Sequence, residues 1–190
     1  MSGPIDSLGV AVQVLDALEA VGARGTIGGS IAASFAGEPR STIDIDVVTD
    51  LTDEQVTPLV EALSGEFYID ERGLRRAVAT SSSTNLIHQL TQIKVDIFIA
   101  GGTPLDEQQL RRRMPVTVGG RRLFVHPPED ILLQKLRWYR AGGEVSDRQW
   151  RDIQGIIRAQ GARLDRPYLM SAAPSLGVED LLRRALHEAI

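Results

Sequence analysis

Thr42-Ile43-Asp44-Ile45-Asp46-Val47-Val48 alternates polar and branched apolar side chains. A period of two in β-branched residues predicts a strand with Ile43, Ile45 and Val47 on one face and Thr42, Asp44 and Asp46 on the other. Residues two apart leave the same face with their Cα atoms about 7 Å apart. Carboxylates that close repel each other unless a cation or a proton intervenes. Hard oxygen donors suit Mg2+ or Mn2+, and two-ion phosphoryl transfer needs carboxylates that can bridge ions about 4 Å apart. A bare Asp-x-Asp is nevertheless more often a solvated strand face than a site, so its surroundings decide.

Upstream, Thr26-Ile27 reads as a short strand that runs into Gly28-Gly29-Ser30 and then into one or two helical turns over 31–35. Glycines there permit close backbone approach, and a helix N-terminus favours an anion. Downstream, Lys94-Val95-Asp96-Ile97-Phe98-Ile99 repeats the alternation, with Asp96 opposite Val95, Ile97 and Ile99. A phosphate-sized turn and three carboxylates thus fall on elements of one kind.

Other elements are read outward from these. A helix is expected over 5–21, and another over 52–63 with Thr52 and Gln55 at capping-box spacing. Short strands are expected over 67–69, 76–80 and 85–89, and Gly119-Gly120 joins 116–118 to 121–125 as a hairpin. After Pro127-Pro128 only helices are expected, over 129–140, 147–159, 166–173 and 178–189. The expected plan is α/β (α+β), with a core over residues 1–126 and a helical region over 127–190.

Composition narrows the function classes. A net charge of −4 argues against broad electrostatic capture of nucleic acid. The Arg111-Arg112-Arg113 and Arg121-Arg122 clusters read first as solvated faces, with phosphate contact as the alternative. No apolar run is long enough for a membrane span, no signal peptide is evident, and a cytoplasmic location is the default expectation. The absence of cysteine removes thiolate chemistry and Cys-ligated zinc. His88, His126 and His187 share no metal-ligand spacing and are expected to pack or lie on the surface. Of 21 basic residues only Lys94 and Lys135 are lysine, and a compact ammonium differs from a guanidinium fork.

The order Gly28-Gly29-Ser30, thirteen residues, Asp44-Ile45-Asp46, and then Asp96 within Lys-Val-Asp-Ile-Phe resembles the minimal nucleotidyltransferase pattern. The segment GEPRSTIDIDVV, with Arg40 and Thr42, is similar to AbiEii-type bacterial nucleotidyltransferases in particular. The resemblance covers about residues 20–100. It implies a nucleotidyltransferase-type mixed sheet with flanking helices, followed by a C-terminal helical region that completes the cleft. It also implies a Mg2+- or Mn2+-dependent transfer of a nucleoside monophosphate from a nucleoside triphosphate to an acceptor. That acceptor can be RNA, protein or a small molecule such as an aminoglycoside. Gly28, Gly29, Ser30 and Arg40 would hold the nucleotide. Asp44, Asp46 and Asp96 would hold the metal, with Asp96 also able to help activate the acceptor.

The helical half extends the resemblance. Leu132, Lys135, Leu136 and Tyr139 follow helical spacing, so Lys135 lies in an apolar stripe. It must snorkel, pair with a structural carboxylate, or meet a nucleotide phosphate. AbiEii-type proteins carry such a lysine and an aspartate in the next helix, here Asp152. An ion pair of Asp152 with Arg148 is the alternative. One departure is the lack of a separate lysine motif between the aspartate pair and the helical half, unless Lys94 stands in. The subfamily likeness further implies a toxin of a toxin–antitoxin system with an antitoxin partner. The competing class is a non-catalytic nucleotide-binding or regulatory module on the same fold.

Overall fold

A computed structural model describes residues 6–36, 44–101 and 104–189. The helices are α1 (Ser7–Ala20), α2 (Gly29–Ala36), α3 (Asp53–Leu63), α4 (Glu71–Thr80), α5 (Pro104–Arg112), α6 (Pro128–Ala141), α7 (Asp147–Gln160), α8 (Arg166–Ala172) and α9 (Glu179–Glu188). The strands are β1 (Gly25–Ile27), β2 (Ile45–Thr49), β3 (Phe67–Ile69), β4 (Ser83–His88), β5 (Lys94–Ile99), β6 (Met114–Val118) and β7 (Arg121–Val125). They form one mixed sheet in the order β3-β4-β5-β2-β1-β7-β6. β2 is parallel to β5 and β1 to β7, and the other neighbours are antiparallel. The expected mixed sheet with flanking helices and a C-terminal helical region is therefore what the chain forms.

Among the described residues, one compact unit holds 6–31 and 44–126, and a second holds 32–36 and 127–189. In the first unit burial follows the alternation. Ile45, Val47, Val95, Ile97 and Ile99 turn into the core, while Asp46 and Asp96 turn away. α1 buries Val10, Ala11, Val14, Leu15 and Leu18, and Asp6 caps it by accepting from the Gly9 N–H at 2.8 Å. Gln55 Oε1 accepts from the Thr52 N–H at 3.0 Å, so the expected cap opens α3. Arg24 ties the β1–β2 corner to α5 by donating to Asp50 at 2.6 Å and to Glu107 at 2.9 Å.

Two segments depart from the sequence reading. The strand expected over 76–80 is the end of α4, which buries Leu74 and Ala77 one turn apart and pairs Glu71 with Arg75 at i, i+4. Its apolar run of Ala77, Val78 and Ala79 has no β-specific pattern, and tertiary burial of one stripe decides for helix. α5 was not expected at all. Its first turn carries Asp106 and Glu107 and its last turn Arg111 and Arg112, which suits the helix dipole.

The hairpin forms as read, with Gly119 at φ 57° and Gly120 at φ 82° in its two-residue turn. Its arginines are spent largely on the protein itself. Arg113 donates to the Gly25 carbonyl at 2.9 Å and lies 4.2 Å from the Phe124 ring centre, and Arg121 pairs with Asp16.

In the second unit α6 buries Ile131, Leu132, Leu133, Leu136 and Tyr139, and α7 buries Ile153, Ile156 and Ile157. Tyr139 and Trp150 stack with ring centres 5.0 Å apart. Trp138 is 37% exposed, because its position on α6 turns off the apolar stripe. Gln160 Nε2 donates to the Ala36 carbonyl at 2.7 Å and so joins the end of α2 to α7. No described helix is long and apolar enough to cross a membrane.

Candidate active site

The register of β2 on β5 builds the site. Ile45 lies beside Val95 and Asp46 beside Asp96, so two carboxylates from distant parts of the chain project side by side from one face. Asp44 immediately precedes β2 and is exposed. Lys94 stands two residues before Asp96 on the same face of β5, and its ammonium donates to Asp96 at 2.8 Å. The alternation that puts Lys94 on the same strand face as Asp96 is thus what brings the two together.

The glycine turn closes on the same carboxylates. The β1–β2 ladder runs Gly25 to Thr49, Thr26 to Val48 and Ile27 to Val47. It continues as the Gly28 N–H donates to the Asp46 carbonyl at 2.8 Å. Gly29 then takes φ +52°, and a Cβ there would lie 1.6 Å from Asp46 Oδ2 and 2.6 Å from Cγ. Only a residue without a side chain lets the turn approach this closely. The Ser30 backbone N–H donates to the Asp46 carboxylate, which therefore caps the first turn of α2 from the neighbouring strand. The Gly28–Ser30 turn and the Asp46 carboxylate are thus one packed element.

Electrostatics follow from that packing. Burial lifts the Asp46 carboxyl above the usual carboxylate range, and Asp96 and then Asp44 push the same way. Lys94 and the Ser30 N–H oppose them. The bond to Asp96 raises Lys94, so the ammonium stays charged. Among the described residues no three His, Asp or Glu side chains stand together as a ready ligand set for a metal. The chemistry of the donors still fits a hard cation. Oxygen donors only are offered, and ionised Asp46 is destabilised by its neighbours, which is the situation a divalent ion relieves.

Arg40 lies outside the described residues. Lys135 and Asp152 fall in the second unit and meet each other: Lys135 Nζ donates to Asp152 Oδ2 at 2.9 Å, linking α6 to α7. The Lys135 side chain is 5% exposed and that of Asp152 28%, so the two ends are unequal. Asp152→Ala strands a buried ammonium and is expected to destabilise by about 2–4 kcal/mol. Lys135→Met leaves a carboxylate that water can reach and is expected to cost less than about 1.5 kcal/mol. Urea unfolding of both variants checks this order; equal losses would show that burial of the ammonium does not govern the pair.

His88 and His126 are both buried, as packing histidines. His88 bonds Thr91 Oγ1 at 2.8 Å and meets the Phe67 ring edge-on. His126 follows β7, and its N–H donates to the Ile27 carbonyl at 3.0 Å. Neither of its ring nitrogens has a hydrogen-bond partner among the described residues.

No family model matches the sequence, and no curated protein matches it. Solved structures do match. An antigenic nucleotidyltransferase-like protein from Paracoccidioides brasiliensis aligns with a TM-score of 0.58 at 18% identity, over 93% of this chain and 91% of that one. The antibiotic-resistance factor ANT(2'')-Ia aligns in solution with a TM-score of 0.55 at 13% identity, over 94% of this chain and 96% of its own. Its crystal structure in complex with adenylyl-2''-tobramycin aligns with a TM-score of 0.55 at 13% identity, over 87% and 95%. At such identities the likeness establishes the fold, which is that of nucleotidyltransferase-like proteins.

Proposed function

We propose that this protein is a metal-dependent nucleotidyltransferase that moves a nucleoside monophosphate from a nucleoside triphosphate to an acceptor hydroxyl. The observation that carries the reading is the register that sets Asp46 beside Asp96 while the Gly28–Ser30 turn packs on the Asp46 carboxylate. Asp44 and Asp46, with Asp96 beside them, would hold Mg2+ or Mn2+, which supplies charge neutralisation on the triphosphate when bound. The turn brings the N-terminus of α2 to these carboxylates, where its dipole favours the anionic end of the nucleotide. Asp96, on the same face, holds metal or accepts the proton of the acceptor hydroxyl. Arg40, Lys135 and Asp152 belong to the nucleotide site on the strength of the sequence resemblance. The work of such a site is positioning and charge neutralisation.

For the acceptor, RNA, protein and a small molecule are the candidates, and the fold likeness to an enzyme in complex with adenylyl-2''-tobramycin supports a small molecule. The AbiEii-type likeness adds a toxin role with an antitoxin partner. Growth arrest on expression of the wild type, absent with Asp46→Asn, is the outcome that role requires.

Asp46→Asn tests the central reading with two readouts. The raised Asp46 carboxyl makes its ionised form a burden on the fold. That burden is present above the folded pKa and disappears as pH falls toward the ordinary value of 3.8. The asparagine keeps an acceptor for the Ser30 N–H and removes the charge. Its melting temperature in EDTA at pH 8 is therefore expected above that of the wild type. Mg2+ with a nucleoside triphosphate at 100 times its Kd stabilises the wild type by about 2.7 kcal/mol and leaves the variant unmoved. In parallel, labelled nucleotide should pass to an acceptor panel of aminoglycosides and total RNA with the wild type only. Equal stabilisation of both proteins by metal and nucleotide sinks the proposal.

A further inference from the structure

One row of the sheet crosses the site. The Gly28 N–H donates to the Asp46 carbonyl at the end of the β1–β2 ladder, Asp46 lies beside Asp96 in the β2–β5 register, and Asp96 lies beside Asn85 in the β4–β5 register. Directly paired residues send their side chains to the same face. Burial agrees, since Leu86 and His88 of β4 are buried while Asn85 is exposed. The glycine turn, Asp46, Asp96 and Asn85 therefore follow one another at the strand spacing of about 4.8 Å. With the triphosphate on the turn, the opposite end of the row, at Asn85, is the acceptor side.

We propose that Asn85 is an acceptor-binding residue, which holds a sugar hydroxyl next to the one that faces Asp96. The inference rests on the nucleotidyl-transfer reading of the same site and names its acceptor side. Asparagine is disfavoured in strands, and among the described residues the Asn85 amide has no hydrogen-bond partner, so local packing does not account for it. An amide both donates and accepts, whereas an ionised carboxylate only accepts. The Cα atoms of a directly opposed antiparallel pair lie about 4.5–5.5 Å apart, which suits two neighbouring hydroxyls of a sugar. Being neutral, the amide adds hydrogen bonding without adding charge beside two carboxylates. In the transfer the acceptor oxygen forms a bond to the α-phosphorus, the bond from that phosphorus to the bridging oxygen breaks, pyrophosphate leaves, and the hydroxyl proton passes to Asp96. Asn85 takes no part in these bonds and acts by fixing the acceptor.

Transfer from labelled nucleoside triphosphates with Mg2+ is measured for the full chain as wild type, Asn85→Ala and Ser83→Ala. The acceptors are tobramycin and a short RNA with a free 3′-terminal ribose. The wild type is expected to label at least one of them, and which one separates a free aminoglycoside from an RNA end as the source of the sugar. Asn85→Ala should raise the KM of that acceptor about three- to tenfold, as the loss of one hydrogen bond predicts. The KM of the nucleotide and the melting-temperature shift given by Mg2+ with nucleotide should stay as in the wild type. Ser83 lies two residues away on the same face, beside Phe98, and its alanine variant should leave the acceptor KM unchanged. An unchanged acceptor KM in Asn85→Ala, an equal rise in Ser83→Ala, or a parallel rise in the nucleotide KM overturns the role of Asn85. Labelling of neither acceptor overturns it as well. If Mg2+ with nucleotide still stabilises the wild type in that case, the metal-nucleotide reading stands; if it does not, both fall.

Discussion

Replacing Gly29 with alanine is expected to abolish nucleotidyl transfer and metal-dependent stabilisation together, although alanine itself carries no chemistry. At φ +52° an L-residue is strained by about 1–2 kcal/mol. The larger effect is steric. The new Cβ would lie 1.6 Å from Asp46 Oδ2, 2.6 Å from Cγ and 3.0 Å from Cβ, so the carboxylate must rotate away from the turn. Rotation removes the Ser30 N–H from its acceptor and takes Asp46 out of line with Asp96. A total loss of about 2–4 kcal/mol in unfolding free energy is expected, with transfer reduced to background. A double-mutant cycle isolates the cause. In an Asp46→Ala background the carboxylate is gone, so Gly29→Ala should retain only the backbone strain and the 3.0 Å approach to the Cβ at 46, and the coupling should exceed about 1 kcal/mol. Additive losses in urea unfolding would show that the turn does not act through Asp46.

His126→Leu is expected to stabilise the protein, increasingly so in acid. The side chain is 2% exposed, and burial pushes its pKa down to about 4, so the folded protein holds a neutral imidazole. The unfolded chain takes up a proton near 6.5. Above that value ionisation has no effect on stability. Between about 6.5 and 4 only the unfolded state is protonated, and stability falls with pH by up to ~3 kcal/mol. Leucine removes this loss and also removes two buried ring nitrogens without partners among the described residues, each of a kind that costs about 1–3 kcal/mol. The gap between variant and wild type should widen by about 2 kcal/mol from pH 8 to pH 5 in urea unfolding. Parallel pH profiles would place the acid sensitivity elsewhere.

Legibility in the sequence tracked local periodicity. β5 falls on Lys94–Ile99 as read, and the Thr52–Gln55 cap opens α3 where its spacing placed it. α4 and α5 were lost because their signals are weak at the local level. α4 buries only Leu74 and Ala77, and α5 shows a charge gradient in place of an apolar stripe. Lys135 was legible as a misplaced cation on an apolar stripe, yet the stripe could not say which anion it meets; its partner in the structure is Asp152.

The sequence by itself determined that Asp46 stands on a strand with Asp44 two residues before it, that Asp96 stands on a second strand of the same kind, and that a glycine turn precedes them. Those properties depend on alternation and on backbone freedom within a few residues. Only the tertiary structure decided that Asp46 and Asp96 are neighbours, that Gly29 rests against the Asp46 carboxylate, and that Lys94 pairs with Asp96. The parallel pairing of β2 with β5 joins segments with two helices and two strands between them, and a change of register by one residue would send one carboxylate to the opposite face. That register is set by burial of Ile45, Val47, Val95 and Ile97 in a common core, a condition that the whole sheet imposes and no local stretch of sequence contains.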